Sequence, residues 1–366
     1  MTGGGARAAY QVGVVRALYE IIKKDQKLFD VISGNSAGAI NSAYLAANAE
    51  NWDVATQNLT ELWKSLKPEH VFDLRKRTIS DLGLKWFSGT VLGGLTPTGS
   101  HINYLLDTDP LKAMLSKEID FNHIKSNIEK KHLYGMSLST TNYNSGSSVI
   151  FYQGDQSIRD WSRTDRFSHR QDLDINHVMA SSAIPFFFPP TQLGNSYFGD
   201  GCIRQTTPLS PVIHLGAEKI IAIGVRYPHP QNLMKEQAFS AFGNPTMGQI
   251  AGIMLNSIFL DSLEGDVERL IRYNELIIEG KHAELKVIPI LMLRPSKDLG
   301  KMSASLNAEM PPMLRYLLKG IGVSDKAGLD LLSYLAFDSS YSGPLMELGY
   351  EDTLKMKGPI EEFIGA

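Results

Sequence analysis

The sequence predicts an α/β core followed by a mainly helical extension, with the change of character near residue 228. Three observations lead there. Short apolar runs alternate with helix-prone stretches over the first 225 residues, as in Phe29-Asp30-Val31-Ile32 before Ala39–Ala47. From about residue 230 the pattern changes to helices rich in Met and Phe. With 366 residues and 43% hydrophobic content, the chain can bury a large core. The expected division is a core over 1–228 and an extension over 229–366 packed on it.

The chain opens on Gly3-Gly4-Gly5-Ala6-Arg7-Ala8-Ala9, followed by Val12, Val14, Val15, Leu18 and Ile22 at helical spacing. A glycine loop that opens a helix presents several backbone N–H groups to an anion. Gly3, Gly5 and Ala8 fit a dinucleotide fingerprint, and the loop also fits an oxyanion hole built on the Gly4 and Gly5 amides. A fingerprint follows a strand, and none precedes Gly3. Asp30, the place for a ribose acid, leads into a different turn.

That turn is Gly34-Asn35-Ser36-Ala37-Gly38, between the apolar run and the helix-prone stretch. G-x-S-x-G between a strand and a helix marks a nucleophile elbow. The flanking Gly34 and Gly38 allow a sharp, strained turn that should push the Ser36 hydroxyl into the open at a helix N-terminus. Only 28 residues precede Phe29, too few for the strands an α/β-hydrolase places before its nucleophile.

Farther along, Asp53–Leu66 reads as an amphipathic helix, and residues 68–104, with Trp86, Phe87 and Gly93-Gly94, read as a cap or lid. Asp109-Pro110 starts a helix running through Leu115. Leu133–Thr141 and Ser148–Tyr152 read as strands joined at Asn144-Ser145-Gly146, and Lys219–Val225 as a buried strand. Between them, Tyr197-Phe198-Gly199-Asp200-Gly201-Cys202 sets an acid at a strand end. A carboxylate held within hydrogen-bond reach and away from water can act as base for a serine, so Asp200 is the candidate partner of Ser36.

The glycine loop with Arg7, the early G-x-S-x-G and the late Asp200-Gly201 together resemble the patatin-like phospholipases, and are similar also to the catalytic domain of cytosolic phospholipase A2. Met179-Ala180-Ser181-Ser182-Ala183-Ile184-Pro185 matches the family's A-S-x-A-x-P segment. The resemblance covers roughly residues 3–225. It implies a three-layer fold with a central, largely parallel sheet between helices. It further implies Ser36 as nucleophile and Asp200 as base with no histidine, and Gly3, Gly4, Gly5 and Arg7 as the oxyanion motif. Three departures stand out: Ala8 replaces a final loop glycine, Cys202 follows Asp200-Gly201, and the family's first strand, which runs into the loop, finds only Met1-Thr2 here. Either the true start lies upstream of Met1, or that strand is missing and its sheet edge is covered otherwise.

Among the helices of the extension, Ile250 to Ile271 form one apolar stripe, which fits core packing or an acyl-chain or membrane-facing helix. Leu285–Leu291 reads as a strand with Pro289 at an edge, and Pro311–Leu318 and Asp330–Phe337 as further apolar helices. Net charge is −3, which gives no basic field for nucleic acid, and one cysteine rules out an internal disulfide framework. No signal-peptide pattern and no apolar run of about 18 or more occurs. A cytoplasmic protein that touches membranes peripherally is expected. His169, His177 and His214 are the candidates for a triad, but none sits in a glycine-flanked turn, and no histidine spacing suits a metal. The expected activity is lipid acyl ester hydrolysis of a phospholipase A or lysophospholipase kind, without metal or organic cofactor. Its alternatives are an acyltransferase or non-lipid esterase with the same dyad, and an idle lipid-binding protein.

Overall fold

The computed structural model describes residues 1–22, 27–73, 104–229, 232, 235, 244–280, 285–304, 306, 310–324 and 327–365. Of the cap or lid expected over 68–104, only 68–73 and 104 are described, and Pro68–Val71 there forms a single helical turn. After the glycine loop a short 3₁₀ turn, Gly5–Ala8, feeds helix α1 (Ala9–Ile22). Strand β1 (Val31–Gly34), α2 (Ala37–Ala47), α3 (Trp52–Ser65), α4 (Asp109–Glu118) and α5 (Phe121–Glu129) follow. Next come β2 (Gly135–Asn142), β3 (Ser148–Gly154), β4 (Ser162–Arg163), β5 (Arg166–Arg170), α6 (Ile175–Ser181), β6 (Thr191–Leu193), β7 (Ser196–Asp200) and β8 (Ile220–Ile223). Beyond residue 228 come α7 (Met247–Phe259), α8 (Asp261–Gly280), β9 (Ile290–Leu293), α9 (Pro312–Gly320), α10 (Leu329–Leu335), α11 (Ser339–Lys355) and α12 (Lys357–Gly365).

The large sheet is mixed rather than largely parallel. Its β1–β2 and β3–β5 pairs are parallel, while β2–β3, β2–β7, β4–β5 and β6–β7 are antiparallel. Short connections force hairpins at β2–β3, β4–β5 and β6–β7, while β2 and β7 pair antiparallel across a long stretch of chain. Between β2 and β3 the Asn142 carboxamide accepts from the amides of Asn144 and Ser145, closing a turn too tight for anything but a hairpin.

Strand β2 organises the site. One edge pairs with β3 along its length. The opposite edge is shared: β1 runs parallel to its first half, with Gly34 opposite Leu138, and β7 runs antiparallel to its end, with Asp200 opposite Thr140. The two strands thus approach one another head-on, and both of their C-terminal ends arrive beside Ser139.

Helices cover both faces, as an α/β fold requires. Phe151 joins the main core, whereas its neighbour Tyr152 joins a separate cluster with Ile158 and Leu215. Successive strand residues point to opposite faces, so the two clusters lie on either side of the sheet. The main core is continuous from Ala6 beside the glycine loop to Ile360 in α12. Within it α1 lies along α11, where Gly13 and Gly349 let the helix backbones approach more closely than any side chain would permit.

Residues 1–2 cover part of the open β1 edge. The Met1 nitrogen donates to Ser33 O at 2.8 Å, Asn35 donates to Met1 O at 3.2 Å, and Thr2 donates to Ile223 O at 3.4 Å. They link β1 to the separate parallel pair β8–β9. The apolar stripe expected over Ile250 to Ile271 proves to be two helices broken at Leu260. Leu255, Phe259, Leu263 and Val267 are buried, while Ile250, Ile253, Met254 and Ile271 are exposed. The strand expected over 285–291 begins only at Ile290. Asn274 holds both the amide and the carbonyl of Ile288, and Pro289 has no N–H to give, so the ladder starts after it.

Candidate active site

The head-on meeting of β1 and β7 brings Ser36 and Asp200 together. Ser36 follows β1 as N-cap of α2, with φ 55° and ψ −131°, a left-handed conformation that costs a non-glycine residue on the order of 1–3 kcal/mol. The turn persists because nothing larger than glycine fits around it. A Cβ on Gly34 would overlap the Gly38 carbonyl, and one on Gly38 would sit 2.6 Å from the Met1 and Thr2 oxygens. The Ser36 amide donates to Ser181 Oγ at 3.2 Å, and Ser181 Oγ donates to Ser139 O at 2.8 Å. The elbow is thereby tied to the point on β2 where the two strands meet. Contrary to expectation the serine is not in the open: only 1% of it is accessible. The loop that covers it is Gly3, whose missing Cβ would lie 2.7 Å from Ser36 Cβ and 2.8 Å from Cys202 Sγ.

Asp200 ends β7 and is fully buried. Its amide donates to Ala183 O at 3.1 Å and its carbonyl accepts from Thr141 Oγ1 at 2.8 Å, which fixes the backbone. Oδ1 accepts the Cys202 amide at 2.9 Å. Oδ2 is buried without a hydrogen-bond partner among the described residues. Burial pushes the carboxyl pKa up to about 7, and the Ser36 hydroxyl is the strongest influence holding it back. A base with a pKa near neutrality suits proton transfer at ordinary pH. Gly201 opens the following 3₁₀ turn against the Ser139 carbonyl, with no room for a side chain.

The Gly4 and Gly5 amides make no hydrogen bond to another described residue, as expected at the start of a helical turn. They are spare donors on a loop that touches the serine. Arg7, by contrast, is committed elsewhere. It is buried and pairs with Asp330 Oδ1 at 2.7 Å.

The three candidate histidines stand apart from this arrangement. His177 Nδ1 lies 2.7 Å from Asp174 Oδ1 within the cap of α6, and His214 stacks on Trp161 at 4.7 Å. His169 meets the Phe151 ring edge-on. Among the described residues no group of three His, Cys, Asp or Glu side chains forms a metal site.

Sequence reasoning did not single out Ser181 or Tyr143. Ser181 lies inside the A-S-x-A-x-P segment, which marked the family but gave no role to the hydroxyl. The Tyr143 ring packs where a Gly199 side chain would be, and burial together with Asp200 raises its pKa to about 12. No local signal flags that contact.

Residues 1–213, more than half of the chain, match the model of the patatin-like phospholipase family. The chain belongs to that family. Family membership supports a lipid hydrolase acting on lipid substrates. Among solved structures this patatin-like phospholipase is similar to VipD from Legionella pneumophila, at 12% identity and a TM-score of 0.35, over 98% of this chain and 66% of that one. It is similar also to the type III effector protein ExoU, at 15% identity and a TM-score of 0.31, over 95% of this chain and 52% of that one. The chain thus spans less than two thirds of either. No curated protein matches it.

Proposed function

We propose that this patatin-like phospholipase hydrolyses acyl esters of phospholipids or lysophospholipids through a Ser36–Asp200 dyad. The observation that carries the reading is the convergence of a strained serine and a buried carboxyl at the meeting ends of β1 and β7, beside a loop with unpaired amides. Asp200 takes the hydroxyl proton as Ser36 Oγ bonds the ester carbon, and the carbonyl electron pair moves onto oxygen, where the Gly4 and Gly5 amides receive it. Collapse expels the alcohol, which takes the proton back from Asp200. Water then attacks the acyl-serine, giving its proton to Asp200, and the fatty acid leaves as the proton returns to Ser36. Release of fatty acid from defined phospholipid vesicles, with lysophospholipid as the co-product, tests the reading. A chain that moves the acyl group to an added alcohol instead is an acyltransferase.

The same reading extends to the membrane. Among the described residues no helix is long and apolar enough to cross one. Helix α7 carries no charged residue over its 13 positions and exposes Met247, Ile250, Ile253 and Met254 along one side. Its other side meets the site, with Phe259 2.9 Å from where a Gly3 Cβ would be. The triple phenylalanine divides: Phe188 is buried against Phe72, while Phe186 is 77% exposed. We place the protein in the cytoplasm and at the lipid surface through this side of α7, with 229–366 serving as an extension packed on the 1–228 core. Each apolar side chain transferred into lipid contributes about 1.5–3 kcal/mol. Flotation with neutral vesicles should persist in high salt and fall at least about tenfold in Ile253→Glu/Met254→Glu. Loss of flotation on adding salt would point to a charged surface instead.

A further inference from the structure

The geometry points to Asp330, on α10, as a positioning residue for the glycine loop, acting through Arg7; we infer that the extension is part of the catalytic apparatus and more than a packed appendage. The inference rests on the oxyanion reading of that loop.

Arg7 lies in the 3₁₀ turn directly after the glycines, and its side chain leads away from Ser36 into the extension. Nε donates to Ser333 Oγ at 2.7 Å, and one terminal nitrogen donates to Asn256 Oδ1 at 3.2 Å. The other reaches Asp330 twice, Oδ1 at 2.7 Å and the carbonyl at 3.4 Å. The guanidinium also lies 4.5 Å from the centre of the Tyr334 ring. Tyr334 in turn donates to the same Asn256 oxygen at 3.0 Å, so α7, α10 and the loop close one network. A planar fork with each nitrogen occupied sets the direction of the backbone it hangs from. Gly5 adds a second restraint: its backbone, at φ 56°, rests on the Tyr334 carbonyl with no space for a side chain.

These partners lie at residues 256, 330 and 333, outside the 1–213 family match. Arg7 is buried, with its side chain 4% accessible, whereas the Asp330 side chain is 41% accessible. Removing Arg7 would leave a hole in the core. Removing the Asp330 carboxylate loosens the fork from its partly open side and leaves the core filled. Amides displaced from the position of the developing oxyanion lose much of their effect, because misplacement by about 1 Å can cost about 10²-fold.

The test uses the full chain and a fluorophosphonate probe, whose phosphoryl oxygen calls on the same amides without any need for lipid. Asp330→Ala should slow labelling of Ser36 and lower kcat on a soluble short-chain ester by about 10- to 100-fold, with KM nearly unchanged and Tm lowered only as far as in Asp330→Asn, since either change leaves buried Arg7 without its counter-charge. Asp330→Asn, which keeps an acceptor for Arg7, should recover most of the loss. In the background of Arg7→Lys the Asp330→Ala change should add little, since both act through one fork. Ser333→Ala, which removes a single acceptor, should move labelling the same way by a smaller factor and keeps the test open if the Arg7 variant does not fold. Wild-type labelling and kcat in Asp330→Ala, losses that track falling Tm, or effects that multiply with Arg7→Lys would overturn the inference. A wild-type chain that is not labelled at Ser36 would instead overturn the reading of the site, and this inference with it.

Discussion

Ser36→Ala should abolish ester hydrolysis, with a loss on the order of 10⁴-fold or more, as expected when a nucleophile acting with its base is removed. The fold should survive. Alanine meets the same strain at φ 55° that serine already bears. The hydroxyl lost is one buried group close enough to influence the Asp200 carboxyl, worth at most about 1 kcal/mol, so Tm should move by no more than a few degrees. A side effect distinguishes this from simple loss of a side chain. The Ser36 hydroxyl holds the Asp200 pKa down against burial, so its removal should push that pKa above about 7, visible in the infrared carboxyl band. Near-wild-type turnover in a purified, folded variant would exclude Ser36 as nucleophile.

Asp200→Asn should lower kcat by about 10² or more, and at the same time stabilise the protein above neutral pH. The sign follows from the raised pKa. Below about pH 4 the carboxyl is protonated in both folded and unfolded chains and contributes nothing. Between about 4 and 7 the unfolded chain ionises while the folded one keeps its proton, so stability falls as pH rises, and above 7 the cost is constant. That cost is at most about 4 kcal/mol, of which asparagine recovers the part not offset by its own buried amide. Thermal melts at pH 8 should show Asp200→Asn at or above wild type, with the difference shrinking toward pH 4. In wild type the activity should rise with pH around an apparent pKa near 7. His177→Ala and His214→Ala should leave that acid limb in place. Inactivation by either substitution without unfolding would replace the dyad with a triad.

How much of this was legible in the sequence depends on the range of the interaction. The elbow is local: two glycines, a serine, a strand before and a helix after, all within 20 residues, and the pattern carries the turn on its own. Asp200 could be named because a turn acid at a strand end has few roles once a serine elbow is present. Their juxtaposition was not legible, because it depends on β1 and β7 sharing one edge of β2 from opposite directions. The largely parallel sheet was an implication of the family resemblance, and the direction in which β7 joins β2, across the stretch from Asn142 to Ser196, is set by tertiary pairing that no local pattern encodes. The accessibility of Ser36 was misjudged since the elbow pattern says nothing of Gly3, which closes over it from 33 positions away. Arg7 illustrates the limit most clearly: in sequence it is a cation beside an anion-binding loop, while its partners lie more than 240 residues downstream. The helix break at Leu260 and the late start of β9 escaped because apolar periodicity continues through both.

Fluorophosphonate labelling of the intact chain, followed by peptide mapping across pH 5 to 9, tests the central claim most directly. A single adduct on Ser36, its rate rising with pH about an apparent pKa near 7 and lost in Asp200→Asn, is the predicted result. An adduct on another serine, or a Ser36 adduct whose rate is unchanged in Asp200→Asn, would contradict it.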